Sequence, residues 1–397
     1  MKVDTHKIVI FGAGRIGRSF IGQLFGLGGY KVVFVDIDPE IVRLLNLRKS
    51  YSVVIKGDTE EVITVRNVSA IHTSDKQNIT REICTAGIAA VSVGKFALEK
   101  VIPLIAAGLG ERFRHNPSSP LDIILAENMR SAAGFTKNEL LKYLREDYPI
   151  DSLVGLIETS IGKMVPIIPL AEIEKDPLIV FAEPYNTLIL DGKGFRSPVP
   201  EIKGVAPKQN IIAWVDRKAF IHNLGHATAA YYGHFLHPEM TYMYEILEDK
   251  KVLKFTRDAM MQSAEILSHV YSNDFTLDDL EDHVDDLLHR FRNKALQDTI
   301  FRVGHDLQRK LAPDDRFMGA VSLGINNNMR YDLILKAMSF GFYFRAVNEE
   351  GLMFPADEKF ISAFSYNPDS VFTEILGFDN IKDASVISQL TNLLKNQ

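Results

Sequence analysis

The sequence predicts an α/β chain, with a doubly wound, mainly parallel sheet domain over residues 1–205 and a mostly helical domain over residues 206–397. Three observations lead there. Short β-branched runs alternate with amphipathic stretches in the first half, a glycine-rich turn directly follows the first of those runs, and long helical periodicity takes over after about residue 205.

The strand-like runs are Lys7 to Phe11, Lys31 to Asp36, Ser52 to Ile55, Ile88 to Val93, Leu121 to Ala126 and Leu153 to Ile157. Helical stretches separate several of them, the pattern of βαβ units with helices on both faces of a sheet. Between Tyr51 and Thr73 two or three short strands follow one another, with turns at Gly57-Asp58 and Asn67, which predicts an antiparallel insertion near 51–73. The stretch Pro184 to Pro207 is rich in Pro, Gly and Lys and reads as the connection between the domains. Beyond it, Asn210 to Gly233, Met240 to Ser272 and Leu277 to Leu311 carry helical periodicity.

Composition narrows the partners. Lys and Arg number 45 against 51 Asp and Glu, for a net charge of −6, which argues against nucleic acid or an anionic membrane surface as the main partner. A small soluble ligand is expected. Cys84 is the only cysteine, so no intramolecular disulfide forms, and no apolar run reaches the length of a membrane span. Both features, with no leader-like stretch ahead of the first strand, point to a cytoplasmic protein. Oligomeric state stays open between monomer and small homo-oligomer.

The run KIVIF leads at once into GAGRIG, which supplies Gly12, Gly14 and Gly17 ahead of a helix-compatible stretch, Ser19 to Leu27. Gly12 permits the tight turn, Gly14 lets backbone approach a pyrophosphate, and Gly17 lets helix pack closely on strand. The helix N-terminus faces the phosphates with unpaired N–H groups. The next strand ends at Asp36, placed to accept hydrogen bonds from the adenosine ribose and to repel a 2′-phosphate, so the predicted cofactor is NAD. Ala13 and Ile16 of the turn, and Val93 and Gly94 at the end of a later strand, join the cofactor-binding set. A glycine turn that only packs helix on strand is the structural alternative.

In the second half, WVDRKAFIHNLGHATAAYYG holds three polar residues on an otherwise apolar helix. At about 100° per residue, with Lys218 at zero, His226 falls near 80° and Asn223 near 140°, so the three share one side. A desolvated lysine has a lowered pKa and can act as a general base toward an alcohol. Asn223 can donate to a carbonyl or alkoxide oxygen, and His226 can hold that oxygen or a neighbouring hydroxyl. The alternative is a rim lysine reaching water, with Asn223 and His226 satisfied in the core. His222, His226, His234 and His237 also invite a metal reading, but no HExxH, cysteine cluster or nearby carboxylate accompanies them, and no metal is predicted.

The run DRKAFIHNLGH resembles the K-x4-N-x2-H signature of the polyol-specific long-chain dehydrogenases. FGAGRIGRSFIG, AENM at Ala126 to Met129, and RFRNKALQDTIFRVGHDLQRKLAPDDR at Arg290 to Arg316 extend the resemblance over most of the chain. It implies a Rossmann domain followed by a helical substrate domain, no metal requirement, and hydride transfer between NAD and a polyol carbon. Position by position it implies Lys218 as general acid/base, Asn223 as the oxyanion-stabilising amide, His226 as a substrate-binding partner, and Asn128 near the nicotinamide ribose. The implied reaction converts mannitol 1-phosphate to fructose 6-phosphate. The chain departs from the family at Ile161 to Pro166, and at Glu158, which stands where relatives carry a second oxyanion amide and would donate only if protonated. It departs again at His305 and Asp306, where relatives are more basic.

A phosphorylated substrate needs fixed cations, and Arg302, His305, Arg309, Lys310 and Arg316 are the candidates; the alternative is a solvated helix face. Without them the substrate is an unphosphorylated polyol or a hexuronate. A regulator that binds NAD without turnover is the other class, and it would not require Lys218, Asn223 and His226 together.

Overall fold

The computed structural model describes residues 2–396, with all their side chains except those of Lys95 and Asp369. The chain divides into two compact units, Met1–Val215 and Asp216–Gln397.

The first unit is built on strands β1 (Asp4–Phe11), β2 (Lys31–Asp36), β3 (Ser50–Lys56), β4 (Glu60–Arg66), β5 (Val68–His72), β6 (Ala86–Val91), β7 (Leu121–Leu125), β8 (Val154–Ser160), β9 (Val180–Ala182), β10 (Leu188–Asp191) and β11 (Val205–Lys208). Eight of them form one sheet in the order β11-β10-β8-β7-β6-β1-β2-β5. Its neighbours are parallel except β8 and β10. From β1 the chain moves to β2 on one side and returns to β6 on the other. A crevice therefore opens at the carboxyl ends of β1 and β6, where doubly wound sheets take their ligands. The central strands are apolar on both faces because both are covered. Along β1, Ile8 and Ile10 pack with Phe20, Phe34 and Ile124, while Val9 and Phe11 pack with Val33, Ile102 and Ile123.

Two expectations for this unit are corrected. The stretch near 51–73 is antiparallel only in part: β3 and β4 form a hairpin, but Asn67 turns the chain at φ 59° and β5 rejoins the main sheet parallel to β2. The Pro184 to Pro207 stretch is more than a connection, since it contributes β10 and leads into β11, whose backbone groups continue the ladder from β8.

The second unit is helical. One rod, 211–236, begins in the last residues of the first unit and is α-helical at Ile211–Arg217 and Leu224–Leu236. Between those segments, Lys218–Asn223 makes a wider π-helical turn. Long helices follow at Lys250–Val270, Leu277–Phe291, Arg316–Asn326, Asp332–Gly341, Pro355–Tyr366 and Ala384–Lys395. The expected helical run Leu277 to Leu311 is broken into Leu277–Phe291, a short 3-10 turn at Lys294–Leu296, Ile300–Gly304 and Leu307–Lys310. Residues that favour caps over helix interiors do the breaking. Asn293 accepts from the N–H of Ala295, and Thr299 accepts from that of Arg302, while Gln297 and Asp306 take left-handed φ values of 49° and 71°.

Candidate active site

In the first unit the predicted cofactor residues gather at the ends of β1, β2 and β6. Gly12 donates to the carbonyl of Val35 at 2.8 Å, and Ser92 donates to that of Phe11 at 2.8 Å, which pins the turn between its neighbouring strands. A Cβ at Gly17 would stand 1.9 Å from the Gly12 carbonyl oxygen, so the helix can approach the strand only as glycine. A Cβ at Gly14 would meet nothing within 4 Å. The two glycines therefore serve different needs. Packing dictates Gly17, whereas the space over Gly14 is open, as a pyrophosphate approach requires. Asp36, the acid expected at the ribose, accepts the Ala13 N–H at 2.6 Å, which ties it to the turn itself. These residues fit a dinucleotide.

Val93 and Gly94 donate both backbone N–H groups to Glu127 Oε1, at 2.8 and 3.0 Å. Glu127 is buried, and burial pushes its carboxyl up while those two bonds hold it down. Sequence reading missed this residue beside Asn128 because an acid in a loop carries no periodic signal. Asn128 is exposed, while Glu158 accepts the Ala133 N–H at 3.0 Å and so serves as an acceptor there.

In the second unit the polar trio lies across the π-helical turn. Hydrogen bonding from i to i+5 widens the turn, which narrows the angle between Lys218 and Asn223 from the roughly 140° of an ideal α-helix. The N–H of Leu224 reaches the carbonyl of Ala219 in this way. Asn223 and His226 are then neighbours at i, i+3, so the trio forms a stripe over successive turns.

Around His226 the setting is specific. Its ring lies on that of Phe291, with centroids 4.4 Å apart and planes 6° from parallel. Its Nε2 stands 3.4 Å from Oδ2 of Asp298, a carboxylate only 4% exposed. The other oxygen of Asp298 accepts from Arg302 Nε at 2.6 Å. Burial lowers the His226 pKa, against the pull of Asp298. Burial also opposes ionisation of Asp298, but His226 and Arg302 hold its carboxyl below the ordinary value. His222 is buried one turn back, and desolvation, with Arg290 and His226 nearby, drives its pKa well down. Asp298 and Phe291 were not singled out from sequence. The i, i+4 spacing of Asp298 and Arg302 was the available signal.

Lys218 is half-buried. Desolvation first, then the Arg316 guanidinium, lower its pKa to about 8, with Asp315 opposing. Arg316 is buried, bonds Asp315 through Nε at 2.8 Å and donates to the Asn223 carbonyl at 3.2 Å, so it is fixed beside the stripe.

The remaining cations all have partners within the chain. Lys310 is buried and donates to the carbonyl of Val303 at 2.6 Å and to that of His305. Burial, then Arg316 and Arg309, bring its pKa down to about 7. His305 Nδ1 donates to the Phe301 carbonyl at 3.0 Å. Arg309 pairs with Asp306 and, at 3.3 Å, with Asp315. Among the described residues no group of three His, Cys, Asp or Glu side chains is placed to hold a metal ion, and no helix is long and apolar enough to cross a membrane.

Comparison with solved structures agrees with this architecture. Mannitol 2-dehydrogenase of Pseudomonas fluorescens, in ternary complex with NAD and D-mannitol, is 16% identical with a TM-score of 0.75, over 98% of this chain and 91% of that one. A D-sorbitol dehydrogenase in substrate-free form is also 16% identical at a TM-score of 0.75, over 99% of this chain and 93% of that one. At that identity the likeness speaks for the fold. The family models carry more: residues 6–204 match the mannitol dehydrogenase Rossmann domain and residues 210–395 the mannitol dehydrogenase C-terminal domain. With nearly the whole length matched in order, the chain belongs to the mannitol dehydrogenase family and is an NAD-dependent polyol dehydrogenase acting on CH–OH groups.

Proposed function

We propose that the protein interconverts mannitol 1-phosphate and fructose 6-phosphate, with Lys218 as general acid/base. The observation that carries the anionic substrate is the placing of two guanidinium groups beside the polar trio: Arg302 bonds the Asp298 carboxylate that faces His226, and Arg316 donates to the Asn223 carbonyl. In a half-buried site such charge favours a substrate that brings a phosphate.

In the oxidative direction the neutral Lys218 amine takes the hydroxyl proton of the polyol. The dinucleotide would supply the acceptor for the hydride on C5, the carbon that bears this hydroxyl, so that loss of proton and hydride together gives the ketose carbonyl. A lysine poised at about 8 is matched to accept and return a proton near neutrality. Asn223 donates to the oxygen as it changes between hydroxyl and carbonyl, and His226 binds a substrate hydroxyl. Gly12, Ala13, Gly14, Ile16, Gly17, Asp36, Val93, Gly94 and Asn128 hold the dinucleotide, with Asp36 on the adenosine ribose.

A second reading, an unphosphorylated hexitol or a hexuronate, is favoured by the partners those cations already have: Arg302 sits on Asp298 and Lys310 on two carbonyls. Oxidation of NADH followed by absorbance with fructose 6-phosphate, fructose, tagaturonate and fructuronate separates the two. Turnover confined to the phosphate ester supports the first reading. A preference for a free ketose or a hexuronate replaces it with the second, and no turnover of any overturns both.

A further inference from the structure

Asp298 is the one buried carboxylate among the described residues that faces both His226 and Arg302. Arg302 is donor-only, so the oxygen it touches at 2.6 Å must accept. The second oxygen, Oδ2, faces His226 Nε2 at 3.4 Å, and both atoms are sealed from solvent with no hydrogen-bond partner. A proton on Nε2 sets a donor against that oxygen. A proton on Nδ1 would instead set two lone pairs face to face in a buried place, the arrangement that leaves polar groups unsatisfied. The Phe291 ring, stacked on the imidazole at 4.4 Å, fixes the ring plane in which this choice is made.

We infer that Asp298 is a positioning residue that holds His226 as the Nε2–H tautomer, so that Nδ1 presents a lone pair and His226 accepts a hydrogen bond from a substrate hydroxyl. The role given to His226 toward a polyol rests on the proposed function; the tautomer itself does not. The same carboxylate aligns Arg302, so one residue sets the direction of two contacts.

Asp298→Asn tests this with almost no change of shape. Arg302 still demands an oxygen, so the carboxamide must turn its NH2 group toward His226 Nε2. That drives the proton to Nδ1 and makes an acceptor into a donor, the kind of tautomer reversal an aspartate-to-asparagine change causes in a serine protease triad. Protein labelled with 15N-histidine, with the His226 signals assigned by their loss in His226→Gln, should show a pyrrole-type Nε2 and a pyridine-type Nδ1 in the wild type, and the reverse in Asp298→Asn. In steady-state assays the variant should raise KM for the sugar by about tenfold, leave KM for the dinucleotide unchanged, and add nothing in a His226→Ala background.

A wild-type ring protonated on Nδ1 overturns the inference without any assay. So does an Asp298→Asn enzyme with wild-type KM, or an effect that persists undiminished once His226 is removed. If no polyol or ketose is turned over, the proposed function fails while the tautomer measurement still decides the role of Asp298.

Discussion

The imidazole of His226 rests flat on the ring of Phe291, 6° from parallel, and this contact joins the helix that carries Lys218 to the C-terminal end of Leu277–Phe291. Phe291 is 2% exposed and supplies one wall of the site without any polar group of its own.

Phe291→Leu should therefore separate packing from polarity. Leucine keeps most of the apolar contact but loses the stacked face, which is worth roughly 0.5–1.5 kcal/mol beyond buried area. We expect a lowered thermal midpoint and a raised KM for the sugar, with KM for NAD unchanged. Equal losses in both constants would point to a general loosening of the fold.

Lys218 makes a prediction with a definite sign. Oxidation needs the neutral amine, so kcat/KM for the polyol should rise with pH and level off above about 8, while reduction, which needs the ammonium, should fall through the same point. Arg316→Gln removes a cation that lowers this pKa and should move the inflection upward. Lys218→Met should reduce kcat by roughly 10²–10⁴-fold. pH–rate profiles in both directions check all three.

The same lysine bears on stability. Its pKa is lower folded, at about 8, than its ordinary value of 10.5, so the unfolded chain binds more protons between those limits. Its contribution to stability therefore rises with pH through that window and is unfavourable below it. At pH 7 Lys218→Met should unfold at higher denaturant than the wild type, with the advantage shrinking toward pH 10. An advantage that stays constant with pH would show that charge burial is not its source.

Gly14 and Gly17 should part company. Gly17→Ala forces a Cβ against the Gly12 carbonyl and should destabilise the first unit by about 2 kcal/mol or more. Gly14→Ala meets no atom, so its melting should match the wild type while its KM for NAD rises several-fold. Thermal melting beside NAD titration distinguishes them.

Asp36→Ser should weaken NAD and narrow its advantage over NADP, since the anion that repels a 2′-phosphate is gone. The lost acceptor for the Ala13 N–H adds a cost common to both cofactors, so the ratio of the two kcat/KM values is the measurement to make.

Local chemistry determined much of this protein. The alternation of β-branched runs with helices, the order strand, GAGRIG, helix, strand, acid, and the spacing of Lys218, Asn223 and His226 were all legible, because each depends on neighbours within about 25 residues. What only the tertiary structure decided depends on residues far apart or on departures from ideal geometry. The π-helical turn at Lys218–Asn223 could not be read from a period of 3.6, and it narrows the angle between the lysine and the amide. Nor could the joining of β5, β10 and β11 to the main sheet, since backbone pairing leaves no mark on the side-chain pattern. Asp298 lies 72 residues beyond His226, and its place beside Nε2 of that ring follows the capped breaks after Phe291, where cap residues outweigh helical periodicity.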